Sequence, residues 1–384
     1  MKILFASDMS FNYIDKLPSK EEAKKTMEEA SKEFAKADFS ILNLENILGK
    51  KEDYTPIPKS GPNLISDDCF IEYVDALNPT AVGLANNHSR DYGDEALFHT
   101  MDMLKERGYR LCGAGVDINE AYEPAVFEKD DVKVHIIAVC ENEFGVATAN
   151  CAGTAGYFLG RVADAIKKAL LEGAEPIIYF HGGNETNPFP APSKTELYRH
   201  FADIGARAVI AMHTHCPQGY EIYNNCPIIY SMGNFYFPKE GKDNTSWNYG
   251  YMTMLDIDTE NASVEIIPYK FDYEDNHIIL KGEQYNKFMD YMKEINAPLS
   301  DAARINELFE AWCTGVGLEG YLPFVKYNEE MYNDPWKVSS IKNIFSCEAH
   351  VELMKYSLRL IHEGRVEKAR ELLPYIKSLQ IIEI

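Results

Sequence analysis

Short apolar runs recur through the first half of the chain, and polar side chains follow five of them. Such runs, bounded by turn signals, are typical of buried strands. The predicted strands cover residues 3–6, 40–44, 80–84, 176–180 and 208–212. The polar residues that follow them are Asp8, Glu45, Asn86 with Asn87 and His88, His181, and His213 with His215.

Segments between these strands predict helices over residues 18–37, 67–77, 93–107, 156–171 and 193–204. Ser19 is a suitable N-cap for the first helix, and Ser193 with Glu196 has the spacing of a capping box in the last. Hairpins are predicted over residues 126–139 and 251–271. The alternation of strands and helices, with hairpins behind it, predicts an α/β sandwich rather than a simple doubly wound sheet.

The pattern becomes helical near residue 281, which divides the chain into a first part, 1–280, and a C-terminal extension, 281–384. Helices are predicted over residues 284–295, 300–312, 349–363 and 366–378, and the aromatic segment 315–343 is predicted to be irregular. The extension either packs on the first part or forms a small domain. No residue in it indicates chemistry.

Composition narrows the function classes. The 384 residues carry a net charge of −22, which argues against nucleic-acid binding because that function needs a basic face. The eight cysteines include no CxxC pair and are expected to be reduced. The first apolar run is too short for a signal peptide, and no window has the length of a membrane span. These features predict a cytoplasmic protein.

The residues at the strand ends are ligand types for a divalent metal. Strand ends of α/β sheets converge at the edge where ligands commonly bind. The candidate metal ligands are Asp8, Glu45, Asn87, His181, His213 and His215. Six ligands are enough for two cations that share a bridging carboxylate, which we assign to Glu45. Such a pair can hold the oxygens of a phosphoester during in-line attack. One or two ions of Mn, Fe, Zn or Mg are expected.

Two further residues are candidates for proton transfer. His88 follows Asn87 directly and can protonate a leaving group or bind an oxyanion, and Asp91 can orient it. Glu185, in the segment His181-Gly-Gly-Asn-Glu, is a candidate contact for substrate, although a plain loop accounts for it equally well. Asn234, in a Gly-Asn-Phe segment, is a second candidate, and a turn is the simpler interpretation.

Structural interpretations remain open for the metal candidates as well. A single histidine at a strand end is more often structural than metal-binding. Asn87 is also a suitable turn residue, and Asp8 is a suitable cap. Glu45 is the hardest to explain without a ligand, because a carboxylate that follows an apolar strand must be solvated or paired. Cys216, next to His215, is interpreted as a structural thiol.

The motifs between residues 3 and 271 resemble those of the CapA (PgsA) family of poly-γ-glutamate capsule biosynthesis proteins. The matching segments are Ser7-Asp8, NLE at 43–45, LANNHSRDYG at 84–93, GAG at 113–115, HGGNE at 181–185, HTHCPQG at 213–219 and YSMGNF at 230–235. The fold of that family is similar to calcineurin-like metallophosphatases. The resemblance therefore implies a four-layer αββα sandwich with a dinuclear-type pocket.

The resemblance also assigns roles to residues. The D-x-H motif of metallophosphatases is here Asp8-Met9-Ser10, so one histidine ligand is absent. Glu45 occupies the position of the bridging aspartate, Asn87 that of the metal-binding amide and His88 that of the acid. The extension after residue 281 lies outside the resemblance. The membrane anchor usual in the family is not expected in this chain.

Three functions remain. The first is a capsule-related, metal-dependent hydrolase that cleaves a phosphoester or an amide such as a γ-glutamyl bond, in a small molecule or a polymer such as poly-γ-glutamate. The alternative is a non-catalytic scaffold or polymer-binding subunit with a metallophosphatase-like pocket. A purely structural protein is the third, and packing alone gives no reason for so many ligand types at strand ends.

Overall fold

The fold is built on two β-sheets that lie face to face. The computed structural model describes residues 1–384 except 15, 243, 275, 326–330 and 332. The strands are β1 (Lys2–Met9), β2 (Phe39–Leu44), β3 (Ile47–Leu48), β4 (Ile65–Ser66), β5 (Ala81–Gly83), β6 (Arg110–Cys112), β7 (Ala114–Gly115), β8 (Ala125–Lys129), β9 (Val132–Cys140), β10 (Gly153–Thr154), β11 (Glu175–His181), β12 (Ala208–Met212), β13 (Tyr220–Tyr223), β14 (Cys226–Ile229), β15 (Asn234–Tyr236), β16 (Tyr249–Ile257), β17 (Ala262–Phe271) and β18 (His277–Ile279).

The first sheet has the strand order β18-β17-β16-β1-β2-β5-β6, and β15 pairs with the end of β1. Strands β1, β2, β5 and β6 are parallel, whereas β16 to β18 continue the sheet antiparallel. The second sheet has the order β13-β14-β12-β11-β9-β8, with a parallel centre and an antiparallel strand at each edge. The carboxyl ends of the parallel strands in each sheet carry the predicted ligands.

The layer between the sheets is an apolar core. Phe5 and Phe39 of the first sheet meet Tyr179 and Phe127 of the second, with ring centroids 5.8 and 4.6 Å apart. Alternate side chains point outward, because successive residues of a strand face opposite sides of the sheet. Those of the first sheet pack with residues of helices near the N-terminus, and those of the second with residues of helices between β10 and β12. The predicted four-layer αββα sandwich is confirmed.

The helices cover these outer faces and form the C-terminal extension. They are α1 (Lys20–Thr26), α2 (Glu28–Phe34), α3 (Ile71–Leu77), α4 (Gly93–Glu106), α5 (Ile118–Ala121), α6 (Leu159–Leu171), α7 (Pro192–Asp203), α8 (Glu283–Asn296), α9 (Ala302–Gly315), α10 (Pro335–Ser346), α11 (Glu348–His362), α12 (Val366–Arg370) and α13 (Leu373–Ser378). A π-helical segment, Val316–Tyr321, follows α9 directly.

The structure corrects several details of the helix prediction. The single helix predicted over residues 18–37 is two helices that meet at Met27, although Ser19 caps the first one with Glu22 as predicted. The predicted helix over 366–378 is also two helices. The predicted capping box of α7 does not form, because Ser193 bonds through its backbone N–H and its hydroxyl to Glu352 of the extension. A distant carboxylate thus replaces the local cap.

The C-terminal extension packs against the sandwich. The ring centroids of Phe288 in α8 and Tyr251 in β16 are 6.4 Å apart. Tyr375 of α13 stacks on Phe189, with ring centroids 6.3 Å apart. Its apolar side chains belong to the same core as the layer between the sheets. Segment 315–343, predicted to be irregular, contains the π-helical turn and most of α10, while 326–330 and 332 lie outside the described residues. The domain boundary near residue 280 stays a prediction.

The structure also describes the state of the cysteines and the character of the helices, on which the sequence gave expectations. All eight cysteines are free thiols, and Cys216 bonds to the carbonyl oxygen of Asn187 as a structural thiol would. In the part of the chain that the structure describes, every helix is too short or too polar to cross a bilayer.

His277 is a buried histidine in the first sheet and is not one of the candidate metal ligands. Its ring lies between Phe235 and Tyr269, with ring centroids 4.8 and 4.7 Å away. Burial lowers the pKa of His277 to about 4. Between pH 6.5 and about 4, the unfolded chain therefore binds a proton that the folded chain does not, and the free energy of unfolding falls as the pH falls.

We expect the substitution His277→Phe to remove the part of this pH dependence of the free energy of unfolding that His277 causes. Between pH 7 and pH 5, urea unfolding should show a loss of stability that is smaller in the variant than in the parent by about 2 kcal/mol. Identical losses in the two proteins would show that His277 is not held neutral by burial.

Candidate metal centre and active-site pocket

The six predicted metal ligands meet at one edge of the sandwich. Asp8 lies in β1, Glu45 follows β2, Asn87 follows β5, His181 ends β11, and His213 and His215 follow β12. All six are buried. The sequence predicted that they would lie close together, because the carboxyl ends of parallel strands meet at one edge of a sheet. The structure brings all six into the same cluster.

Ligand atoms in this cluster form two groups. Asp8, Glu45 and His215 make the first, and Glu45, His181 and His213 make the second. Within each group the ligand atoms lie within 4.8 Å of one another. Glu45 belongs to both groups, which is the position that a carboxylate bridging two cations would occupy.

Three groups lie within hydrogen-bond distance of the Asp8 carboxylate. Asn43 Nδ2 donates to Asp8 Oδ1 at 2.7 Å, and the His213 backbone N–H donates to Oδ2 at 2.9 Å. His181 Nδ1 lies 3.2 Å from Oδ1. Burial opposes ionisation, but His181, His215 and the bond from Asn43 together hold the pKa of Asp8 below its usual value. The carboxylate is therefore charged and fixed in orientation.

The Glu45 carboxyl group lacks the kind of hydrogen bonds that hold Asp8. Both of its carboxylate oxygens are buried, and neither has a hydrogen-bond partner among the described residues. Burial and the nearby Asp8 carboxylate raise the pKa of Glu45 well above its usual value. A buried carboxyl without partners is costly, and a cation on either side removes that cost. These orphaned oxygens, with imidazole nitrogens on both sides, fit a metal site.

The histidines of the second group also face a common point. His181 Nε2 lies 2.9 Å from His213 Nδ1 and 3.1 Å from Asn87 Oδ1. Burial lowers the pKa of His213 and of His215 to about 4, so both rings are neutral near pH 7. Neutral imidazole is the form that binds metals.

The turn after β12 holds the two histidines in an uncommon backbone conformation. His213 has φ of 96° and His215 has φ of 53°, both in a region that residues other than glycine rarely adopt. Strain of this kind is found where surrounding structure demands it, and it clusters at functional sites. Here the turn places two rings on the cluster from a single short segment.

The neighbouring asparagines have different roles. Asn86 donates to the carbonyl oxygen of Leu44 at 2.9 Å and accepts from the His88 N–H at 3.0 Å, so it holds the turn together. Asn87 instead directs its side-chain oxygen to His181. Ser10, two residues after Asp8, donates to Asn46 Oδ1 at 3.1 Å.

His88 lies beside the cluster and is oriented by Asp91, as predicted for the pair. His88 Nδ1 is 2.6 Å from Asp91 Oδ2, which leaves Nε2 facing Glu45 Oε1 at 3.8 Å. The buried ammonium of Lys59 lies 2.6 Å from Asp91 Oδ1 and 3.1 Å from His88 Nδ1. Burial and the Lys59 charge lower the pKa of His88. Lys59 was not predicted, because it lies in a loop without a motif.

Glu143 is a second residue that the sequence analysis missed. Its Oε1 lies 3.6 Å from His213 Nε2, and Asn343 Nδ2 donates to its Oε2 at 3.2 Å. Burial opposes its ionisation, but His213, His350 and Lys59 lower the pKa of Glu143 to about 2. A carboxylate behind a metal-binding imidazole orients that ring. The signal was weak, because Glu143 lies three residues after the end of β9, whereas Glu45 follows β2 directly.

The two predicted substrate contacts lie in different places. Asn234 is fully buried and its Oδ1 is 2.7 Å from His215 Nδ1, so it supports a candidate ligand. Glu185 is exposed and lines a pocket that opens beside the cluster.

This pocket has a volume of about 400 Å³. Asn87, His88 and His213 form the wall next to the metal cluster. Six further lining residues come from the C-terminal extension, for which the sequence indicated no chemistry. They are Trp312, Val316, Tyr321, Asn343, His350 and Leu353.

Comparison with known proteins gives relatives that are all capsule or polymer synthesis proteins by name. The PGA biosynthesis protein CapA of Bacillus subtilis is 25% identical over 240 residues, which cover 60% of this chain and 61% of that protein. The capsule biosynthesis protein CapA of Bacillus anthracis is 26% identical over 223 residues, which cover 52% and 51%. The chain thus spans about half to three fifths of the length of these curated relatives.

A comparison with solved structures gives a novel phosphatase from Mycoplasma pneumoniae, with a TM-score of 0.44 and 14% identity. The match covers 75% of this chain and 96% of that one.

The family model described as bacterial capsule synthesis protein PGA_cap matches residues 2–239. This range contains all six candidate metal ligands together with His88, Asp91 and Glu143. The chain belongs to the PGA_cap family of bacterial capsule synthesis proteins.

Proposed function

We propose that this protein is a metal-dependent hydrolase that cleaves a phosphoester or an amide such as a γ-glutamyl bond. The observation that carries the proposal is the unpartnered Glu45 carboxylate, buried between two groups of ligand atoms. Such an arrangement costs stability when the protein holds no cation, and two-cation hydrolases use it. The pocket beside it supplies room for a substrate.

The two cation positions would share Glu45 and differ in their other ligands. Asp8, Glu45 and His215 would hold the first, and Glu45, Asn87, His181 and His213 the second. The first position has one ligand fewer than the second, and the nearby Ser10 hydroxyl donates to Asn46. Nitrogen and oxygen ligands of this kind suit Mn, Fe or Zn, and Mg is compatible with the carboxylates.

Divalent cations, when bound, polarise the scissile group and lower the pKa of a water nucleophile. The residues of the chain do the rest. Asp91 holds the His88 ring so that Nε2 faces the cluster, and Lys59 keeps Asp91 paired. We assign the proton that moves to the leaving group to Nε2 of doubly protonated His88, whose Nδ1–H stays on Asp91. The transfer leaves the ring neutral, which is the form that burial and the Lys59 charge favour by lowering the pKa of His88. Asp91 and Lys59 position the ring.

The names of the relatives support a proposal for the biological substrate. Their names place them in the biosynthesis of PGA or of the capsule, or in polyglutamine synthesis. We therefore place the reaction in the synthesis or processing of such a polymer, with poly-γ-glutamate or a precursor as the partner. A non-catalytic polymer-binding role remains the alternative, and the absent ligand at Ser10 is the observation that favours it.

The first test is the dependence of stability on cations. At a Mn²⁺ concentration one hundred times the dissociation constant, the free energy of unfolding should rise by about 3 kcal/mol. In Glu45→Gln the rise should be lost, whereas the cation-free variant should be no less stable than the parent, because a costly buried carboxyl has been removed. Thermal and urea unfolding with and without Mn²⁺ measure both effects.

The exposed Glu265→Gln in β17 is the matched control and should keep the full response to Mn²⁺. A full response in Glu45→Gln as well would exclude Glu45 as the shared ligand.

The second test is activity. Metal analysis of the purified protein should precede a screen of phosphodiesters and γ-glutamyl peptides. The substitution His213→Ala should lower kcat/KM at least about 100-fold, because it removes a ligand of the second cation. His277→Phe also removes a buried histidine, but one that belongs to neither group of ligand atoms, and should retain activity.

Activity that is equal in the parent and in His213→Ala would contradict the hydrolase assignment. Inactivity of the cation-loaded parent on every substrate, together with polymer binding that survives His213→Ala, would favour the non-catalytic alternative.

A further inference from the structure

Part of the pocket lining consists of residues that are not candidate metal ligands and that the proposed reaction does not use. Loop 183–186 and the C-terminal extension contribute to this part, which we call the extension end of the pocket. Because the family match stops at residue 239, the extension belongs to the part of the chain outside that match. This end therefore carries information about the substrate of this chain in particular.

Two buried side-chain amides at this end have oxygen atoms that accept no hydrogen bond from the described residues. Asn343 and Asn184 are 3% and 7% exposed, and both line the pocket. Asn343 Nδ2 donates to Glu143, and Asn184 Nδ2 lies 3.5 Å from the carbonyl oxygen of Ala349. These contacts fix the orientation of both amides. Their Oδ1 atoms are buried without a partner among the described residues, so each can accept a hydrogen bond from a ligand.

Negative charge accompanies these acceptors. Glu143 and Glu185 line the same pocket, the first buried against His213 and the second exposed. The ammonium group of Lys59, which also lines the pocket, is engaged by Asp91 at 2.6 Å. On the donor side, Trp312 is 3% exposed and its Nε1 is buried without a partner. Acceptors and carboxylates therefore outnumber donors at this end.

An acceptor-rich, negatively charged end is complementary to a group that carries both N–H donors and positive charge. A primary ammonium has three donors and no acceptor. A ligand hydroxyl would satisfy the amide oxygens but would not neutralise the charge of Glu185. A free carboxylate would add repulsion to the unpartnered oxygens.

We infer that this end of the pocket binds a primary ammonium group, so that the substrate is a small anion with an amino group at its far end. The inference rests on the proposed function, because the cations would bind the anionic end. It disfavours the interior of a polyanionic polymer, whose repeated carboxylates would meet Glu143 and Glu185. An amino-bearing precursor or the amino end of a chain fits the pocket.

Binding of matched phosphate esters to the Mn²⁺-loaded protein tests this inference by calorimetry. O-Phosphoethanolamine carries the ammonium, propyl phosphate has a methyl group in its place, and the phosphate ester of 3-hydroxypropionate has a carboxylate. We expect O-phosphoethanolamine to bind about tenfold more tightly than propyl phosphate, because charge-assisted hydrogen bonds are the stronger ones. The carboxylate ester should bind most weakly.

Glu185→Gln removes one charge from an exposed position, and the preference for O-phosphoethanolamine over propyl phosphate should fall about threefold or more. The control Glu196→Gln, an exposed glutamate of α7, should keep the parent preference.

The outcomes separate the inference from the proposed function. Binding of all three esters with equal affinity, or tightest binding of the carboxylate ester, would overturn the ammonium assignment and leave the phosphoester reaction in place. Binding of none of them by protein that retains Mn²⁺ would contradict the phosphoester reaction and the ammonium assignment with it.

Discussion

The site depends on one electrostatic constraint, the burial of Glu45 at the meeting point of two sheets. A carboxyl that accepts no hydrogen bond in such a position is unfavourable by itself. The neighbouring Asp8 carboxylate adds to the cost, because two like charges compete for one region. Imidazole rings at the ends of β11 and β12 face the same region from the other sheet. A positive charge between the two sheets resolves the conflict.

Much of this arrangement is visible in the sequence, because the strands are short apolar runs and the ligands come directly after them. Parallel pairing then decides the geometry. Once β1 lies beside β2, and β11 beside β12, Asp8 and Glu45 share one edge and His181 and His213 share the other. The sandwich places the two edges together. Local pattern and sheet geometry were therefore sufficient to predict that the six candidate ligands converge and that His88 lies beside Asp91.

The features that the sequence did not show depend on contacts between distant segments. The N-terminal cap of α7 failed as a prediction because Glu352, far along the chain, takes the bonds of Ser193. Lys59 lies in a loop, and only the fold brings it to Asp91. The wall formed by Trp312, Asn343 and His350 requires the docking of the extension on the sandwich, for which the helical pattern contains no information.

The C-terminal extension also bears on substrate specificity, because it contributes residues to the pocket lining. The family match contains the metal ligands, whereas six residues of the pocket lining lie beyond it. The chemistry of the site and the shape of its pocket are thus encoded in different parts of the chain. A contact such as that of Asn343 with Glu143, and of Glu143 with His213, links the two.

The most direct measurement of the central claim is anomalous diffraction at the manganese edge from crystals grown with Mn²⁺. Two anomalous peaks about 3.5–4 Å apart, one on each side of the Glu45 carboxylate, are the predicted result. Difference maps without a peak within ligand distance of Glu45 would contradict the account.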